Sequence, residues 1–111
     1  MIDGRVIRGV DMNAKAFQNS FARIKGDAAK QEVLRAIREL LGMNVDQPPA
    51  RLHFHALKQV SVVSRIDSKK RVPVFTIHGT ADDRLKVSFT WENGTAWLRL
   101  VDEHDVIDKN P

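Results

Sequence analysis

The sequence predicts a two-layer α+β domain: an antiparallel meander sheet with an N-terminal edge strand, packed on one face by an N-terminal helical hairpin. Three observations carry this reading. Apolar residues recur at helical spacing on either side of Gly26-Asp27. The second half of the chain alternates apolar and polar residues in successive short runs. Between the last two runs stands Asn93-Gly94, the strongest short-range hairpin signal a sequence carries. At 111 residues, the chain reads as a single domain over residues 1–111 with one core.

The elements follow in order. Arg5-Val6-Ile7-Arg8-Gly9-Val10 is short and rich in β-branched residues, a first strand that Gly9 and Asp11 bring to an end. From Asn13 to Ile24, the side chains Ala14, Phe17, Phe21 and Ile24 form a helical stripe, and Gly26 can terminate the helix. Asp27 suits the N-cap of a second helix, in which Ala29, Val33, Ile37, Leu40 and Leu41 repeat every three or four residues until Gly42. The breaker Asp46-Gln47-Pro48-Pro49 and the segment Arg51 to Lys58 follow. Strands are then expected over Val60 to Ile66, Val72 to His78, Arg84 to Trp91 and Thr95 to Val101.

Composition narrows the class. No apolar run approaches the ~20 residues that cross a bilayer, and Met1-Ile2-Asp3-Gly4-Arg5 lacks the pattern of a signal peptide, so no membrane association and a cytoplasmic location are expected. Without cysteine there is no disulfide, thiolate metal site or cysteine nucleophile. The net charge of +4 conceals an acidic end. Without its last ten residues the chain carries 17 Lys and Arg against 10 Asp and Glu, a net +7 that would favour a polyanion.

Alternation assigns faces. In Arg84 to Trp91, the side chains of Leu85, Val87, Phe89 and Trp91 belong under the helices, and Arg84, Lys86, Ser88 and Thr90 on the open face. In the next strand Ala96, Leu98 and Leu100 share one side. Trp97 and Arg99 are expected beside Arg84 and Lys86, where an indole could stack on a base while cations hold phosphates. The loop cations Lys69, Lys70 and Arg71 are further candidates if the adjacent face binds phosphate.

Histidine is the only side chain here whose ordinary pKa lies near neutrality. His53 and His55 flank Phe54 with no third ligand evident, so no metal site is expected, and His78 reads as a turn-packing residue. His104 differs. It follows the last strand among Asp102, Glu103 and Asp105, where carboxylates could orient its ring.

Taken together, Leu52-His53-Phe54-His55-Ala56-Leu57-Lys58, the strand Arg84 to Trp91 with its Glu92-Asn93-Gly94-Thr95-Ala96 turn, and Val101-Asp102-Glu103-His104-Asp105 resemble the RelE/ParE toxin superfamily of bacterial toxin–antitoxin systems. The likeness is closest to its RelE and HigB-like ribonuclease branches, and the element order is that of a RelE-like domain. The resemblance implies a toxin that cleaves messenger RNA, typically on the ribosome, inhibiting translation. It needs no metal or cofactor: a ribose 2′-hydroxyl attacks the adjacent phosphate. By resemblance, Arg84 would clamp the scissile phosphate and His104 would be the acid or base. Lys58 matches the lysine of the first motif, with Lys86, Lys69, Lys70 and Arg71 as further phosphate contacts. The expected partners are a cognate antitoxin protein, messenger RNA and the ribosome.

The chain departs from the family pattern in two places. It has no tyrosine, and Val106-Ile107 stand where many members place one. The segment from Val60 to Val74 is also longer than the usual connection. Two other readings accompany the ribonuclease: a non-enzymatic ParE-like inhibitor of a protein target, and a basic module that binds single-stranded nucleic acid through Trp97 and Arg99.

Overall fold

The structure, a computed structural model, describes residues 6–48, 50–80, 82, 84–109 and 111, without the side chains of Arg51, Lys58 and Gln59. It is an α+β fold built on one mixed five-stranded sheet. The strands are β1 (Gly9–Asp11), β2 (His55–Val63), β3 (Arg71–His78), β4 (Leu85–Glu92) and β5 (Thr95–Glu103), and the helices are α1 (Lys15–Ala22), α2 (Asp27–Arg38) and α3 (His104–Lys109). The sheet order is β1-β5-β4-β3-β2. Strands β2 to β5 form the expected antiparallel meander, and β1 adds to its edge parallel to β5.

The Asn-Gly turn forms as its residues dictate. Glu92 pairs with Thr95 across it, while Asn93 (φ 52°) and Gly94 (φ 78°) both adopt left-handed backbone, the requirement of a two-residue type I′ hairpin. The first strand is shorter than its β-branched run suggests and lies later in the chain. Ile7 donates to Met43 O at 2.8 Å and accepts from Gly42 N at 2.7 Å, so the backbone before Gly9 is engaged with the segment after α2. Arg5, at the start of that expected strand, lies outside the described residues.

Both helices of the hairpin lie on one face of the sheet. Phe17, Ile24, Ala29, Val33, Ile37 and Leu40 join Phe75, Ile77, Val87, Phe89 and Leu98 in one core. Ser20 ties α1 to β5 inside it: its hydroxyl donates to Phe17 O and accepts from Val101 N at 3.1 Å. Two helix details differ from expectation. Asp27 is the first residue of α2, with Gly26 at the cap, and α2 ends at Arg38, so Leu41 falls off the stripe and is 51% exposed.

Two larger differences concern the opposite face. In β5 the register shifts: Phe89 pairs with Leu98 but Ser88 pairs with Leu100, leaving Arg99 as an extra residue, a β-bulge. The bulge reverses the phase of everything after it. Val101 therefore enters the core at 1% exposure and Leu100 turns to the other side, the reverse of strict alternation. The face expected to be open is also covered. Lys86, Ser88 and Thr90 are all buried there. Helix α3 reaches this face through Asp108, which meets Lys86, and Ser88 Oγ donates to Pro111 O at 3.4 Å.

Candidate active site

Register places three polar residues in one row across the sheet. His78 of β3 pairs with Lys86 of β4, and Lys86 with Asp102 of β5. Directly paired residues of neighbouring strands share a face, with Cβ atoms roughly 5 Å apart. Above this row α3 starts at His104, whose backbone N–H donates to Arg84 O at 3.2 Å. One turn later on the same helix comes Asp108. Its Oδ2 lies 3.1 Å from His104 Nδ1, and its Oδ1 accepts from Lys86 Nζ at 3.0 Å.

The ring of His104 also stands edge-on to His78, centroid to centroid at 6.1 Å. His78 in turn stacks on His53 at 4.4 Å with only 14° between the ring planes. His53 reaches that position from a left-handed backbone (φ 49°), just after a single 3₁₀ turn over Ala50–Leu52; histidine is among the residues that tolerate this region. Such conformations persist only where surrounding contacts hold them, and they concentrate at functional sites. The result is an array His53–His78–His104 continued by Asp108 and Lys86.

Two clefts flank the array. One, of about 390 Å³, is lined by Glu32, Arg35 and Glu39 of α2 together with His53, His78 and Thr80. The other, of about 310 Å³, is lined by Arg23, Lys25, Arg84, Asp102 and Glu103, with Ser20 at its base. His104 lines neither cleft; its neighbour His78 lines the first, and Arg84, whose carbonyl accepts its amide, lines the second. Arg84 is exposed, and the turn before it is pinned by Asp82. The Asp82 carboxylate accepts from Thr80 Oγ1 at 2.6 Å and from Arg84 N at 3.1 Å, and these bonds hold its pKa below the usual carboxylate value.

The residues singled out from sequence thus fall into two groups. His104, Arg84 and Lys86 gather at one end of the sheet. Lys86 is not the exposed cation expected of it: it is 4% exposed, and its ammonium is committed to Asp108. Lys69, Lys70 and Arg71 lie at the other end of β3, about 23 Å from His78 at 3.3 Å per residue. Arg71 is tethered there to Ser61, its Nε donating to Ser61 Oγ at 2.9 Å.

Trp97, paired with Thr90, lies toward this second end, and Arg99 sits at the bulge in mid-sheet, opposite Ser88 and Phe89. Arg65 lies over the Trp97 ring at 5.5 Å, a cation–π contact on a surface that a base would otherwise share. Arg99 Nε donates to Pro111 O at 3.2 Å, and burial first, then the nearby Arg65 charge, pushes its pKa down. Lys58 lies in β2, but its side chain is outside the described residues.

Sequence reasoning weighed His53 only as half of a metal pair and His78 only as a turn-packing residue, and gave Asp108 no role. The β3 alternation places His78 on the same face as Thr76, and the i, i+4 spacing of His104 and Asp108 is that of one helix turn. Only the existence of α3 makes the second signal meaningful. Among the described residues no group of three or more His, Asp or Glu side chains is placed to hold a metal ion, and no helix is long and apolar enough to cross a membrane. No protein-family model, curated protein or solved structure matches the chain.

Proposed function

We propose that this chain is the toxin of a toxin–antitoxin pair, a metal-independent endoribonuclease that cleaves messenger RNA by 2′-hydroxyl attack. The observation that carries the reading is the pairing of two imidazoles, His104 and His78, at 6.1 Å, with His104 held by the Asp108 carboxylate. Cleavage of this kind needs one group to remove the 2′-proton and another to protonate the departing 5′-oxygen. Two rings at that separation can address both sides of one phosphate. The family's usual tyrosine is missing from the chain, and His78 fills the need for a second proton-transfer group.

The roles follow from the contacts. A carboxylate facing Nδ1 favours the tautomer that carries its proton there, which makes Nε2 of His104 the acceptor and His104 the base. The 2′-oxygen then bonds to phosphorus as the bond from phosphorus to the 5′-oxygen breaks. His78 delivers a proton to the leaving oxygen, and the products are a 2′,3′-cyclic phosphate and a 5′-hydroxyl. Arg84 stabilises the charge that builds on the phosphorane. Lys86 acts at one remove by neutralising and fixing Asp108.

The test is cleavage of a defined messenger RNA in a reconstituted translation system with a chelator present. Wild type should cut, and H104A, H78A and R84A should each lose most of the activity. Equal cleavage by all four proteins would overturn the assignment. Intact message with damaged DNA after expression in cells would select the non-enzymatic inhibitor instead. Relief of toxicity by the product of a neighbouring reading frame would identify the antitoxin.

A further inference from the structure

The cleft beyond Arg84 carries a set of charges that the histidine array does not use. Arg23 and Lys25 stand on the turn between α1 and α2, facing Arg84 across a space of about 310 Å³. All three are exposed, and among the described residues none of them forms an ion pair. This is notable because Asp102 and Glu103 line the same cleft. Asp102 instead accepts from the backbone of Glu103 at 2.8 Å. Three cations around one concavity outnumber the two carboxylates, Asp102 and Glu103, that line it with them, and this excess of positive charge favours an anion there.

We infer that this cleft is a phosphate subsite for a single-stranded RNA, with Arg23 and Lys25 binding the backbone beyond the phosphate that Arg84 contacts. The inference rests on the ribonuclease reading and extends it with residues on the helical hairpin. Its geometric basis is the place of Arg84, a residue that lines the cleft and whose carbonyl accepts the His104 amide at 3.2 Å. In this arrangement a strand whose scissile phosphate lies between His104 and His78 runs on past Arg84, the residue bonded to the start of α3. The next anionic groups meet the α1–α2 turn. The carboxylates of Asp102 and Glu103 confine the strand to the cationic rim, because phosphate is repelled from the wall they form.

The alternative source of such a charge pattern is a diffuse basic surface with no defined track. The two differ in what charge reversal does at different places. A diffuse field responds to the number of charges changed; a subsite responds to which ones.

The experiment measures binding of a twelve-nucleotide, fully 2′-O-methylated RNA, which cannot be cleaved, by fluorescence anisotropy over a series of salt concentrations. The variant R23E/K25E is compared with K15E/R38E, a charge-matched pair of helix residues that line neither cleft. The subsite predicts a loss of at least tenfold in R23E/K25E, at most threefold in the control, and a salt slope shallower by about 1.4 for two lost phosphate contacts. Equal losses in the two variants, or none in either, overturn the subsite. Circular dichroism melts confirm that both variants are folded. Because the probe reports binding alone, site-dependent binding by a protein that cleaves nothing supports the subsite while refuting the enzyme. Absence of binding by wild type refutes the subsite, and the cleavage assay then decides on the enzyme separately.

Discussion

His104 and Asp108 stand one turn apart on α3, and the 3.1 Å between Nδ1 and Oδ2 is closed by a carboxylate whose other oxygen holds Lys86 at 3.0 Å. One side chain thereby orients an imidazole and neutralises an ammonium that is almost wholly removed from water. The two jobs cannot be separated by a single substitution, but they can be separated by a pair.

Asp108→Asn leaves Lys86 charged and buried without its counter-ion. Removing one partner of a buried pair costs ~3–5 kcal/mol, and because Asp108 is 37% exposed the expected loss is smaller, about 2 kcal/mol. The double variant K86M/D108N removes both charges and should recover to within about 1 kcal/mol of wild type. Urea unfolding of the four proteins of this cycle measures the coupling. The double variant should remain poor in RNA cleavage, since the His104 ring has lost its anchor. Full recovery of both stability and cleavage would refute the positioning role.

For the proposed acid–base pair, the expected losses are about 10²–10⁴-fold in the single-turnover rate for H104A and for H78A, with little change in unfolding midpoint. Groups that act in one proton relay are not additive. H78A/H104A should therefore fall scarcely below the worse single variant. Additive losses would mean that the two rings act independently, and a normal rate in H78A would return His78 to the packing role its position beside Gly79 first suggests.

The parts of the fold that were legible in sequence are those where a residue type permits only one local structure. Asn93-Gly94 is such a place, because two consecutive positive φ angles suit few other pairs. The site was legible in fragments. His104 and Arg84 stand out by type and position, yet α3 is six residues long with one buried side chain, Ile107, and presents too little pattern to register as a helix. Without α3 the sheet face looks open, and Lys86 looks like an exposed cation. His78 becomes meaningful only when the β3–β4 register sets it beside Lys86.

The Arg99 bulge was hidden for a different reason. Leu98 and Leu100 are both apolar, so period two runs through the bulge as though nothing had happened, while in the structure Leu100 leaves the core and Val101 replaces it. Val101→Ala should accordingly cost about 2 kcal/mol, in the range for shortening a fully buried aliphatic side chain. Leu100→Ala, though it removes more atoms, should cost less, about 1 kcal/mol, because its side chain is half-buried on the other face. Denaturant midpoints of the two variants decide the matter. The opposite ranking would show that β5 keeps strict alternation.

Acid should loosen the Arg84 turn only below the ordinary carboxylate range. The Thr80 hydroxyl and then the Arg84 N–H donate to Asp82, so its carboxyl titrates below the ordinary ~3.9 in the folded chain. The sign follows from linkage. A group whose folded pKa is depressed contributes stability that is fully present above its unfolded pKa and is lost as pH falls through the folded value. Asp82 is exposed, so the effect is local: it orders the backbone that leads into Arg84. The amide resonance of Arg84 should titrate with a midpoint below about 3.9, and Asp82→Ala should abolish that titration. At neutral pH, where the carboxylate is charged, Asp82→Ala should also weaken RNA binding severalfold by loosening Arg84. A midpoint at or above the ordinary carboxylate value would refute the hydrogen-bonded turn, and unchanged binding in Asp82→Ala would show that Arg84 is positioned by its bond to His104 alone.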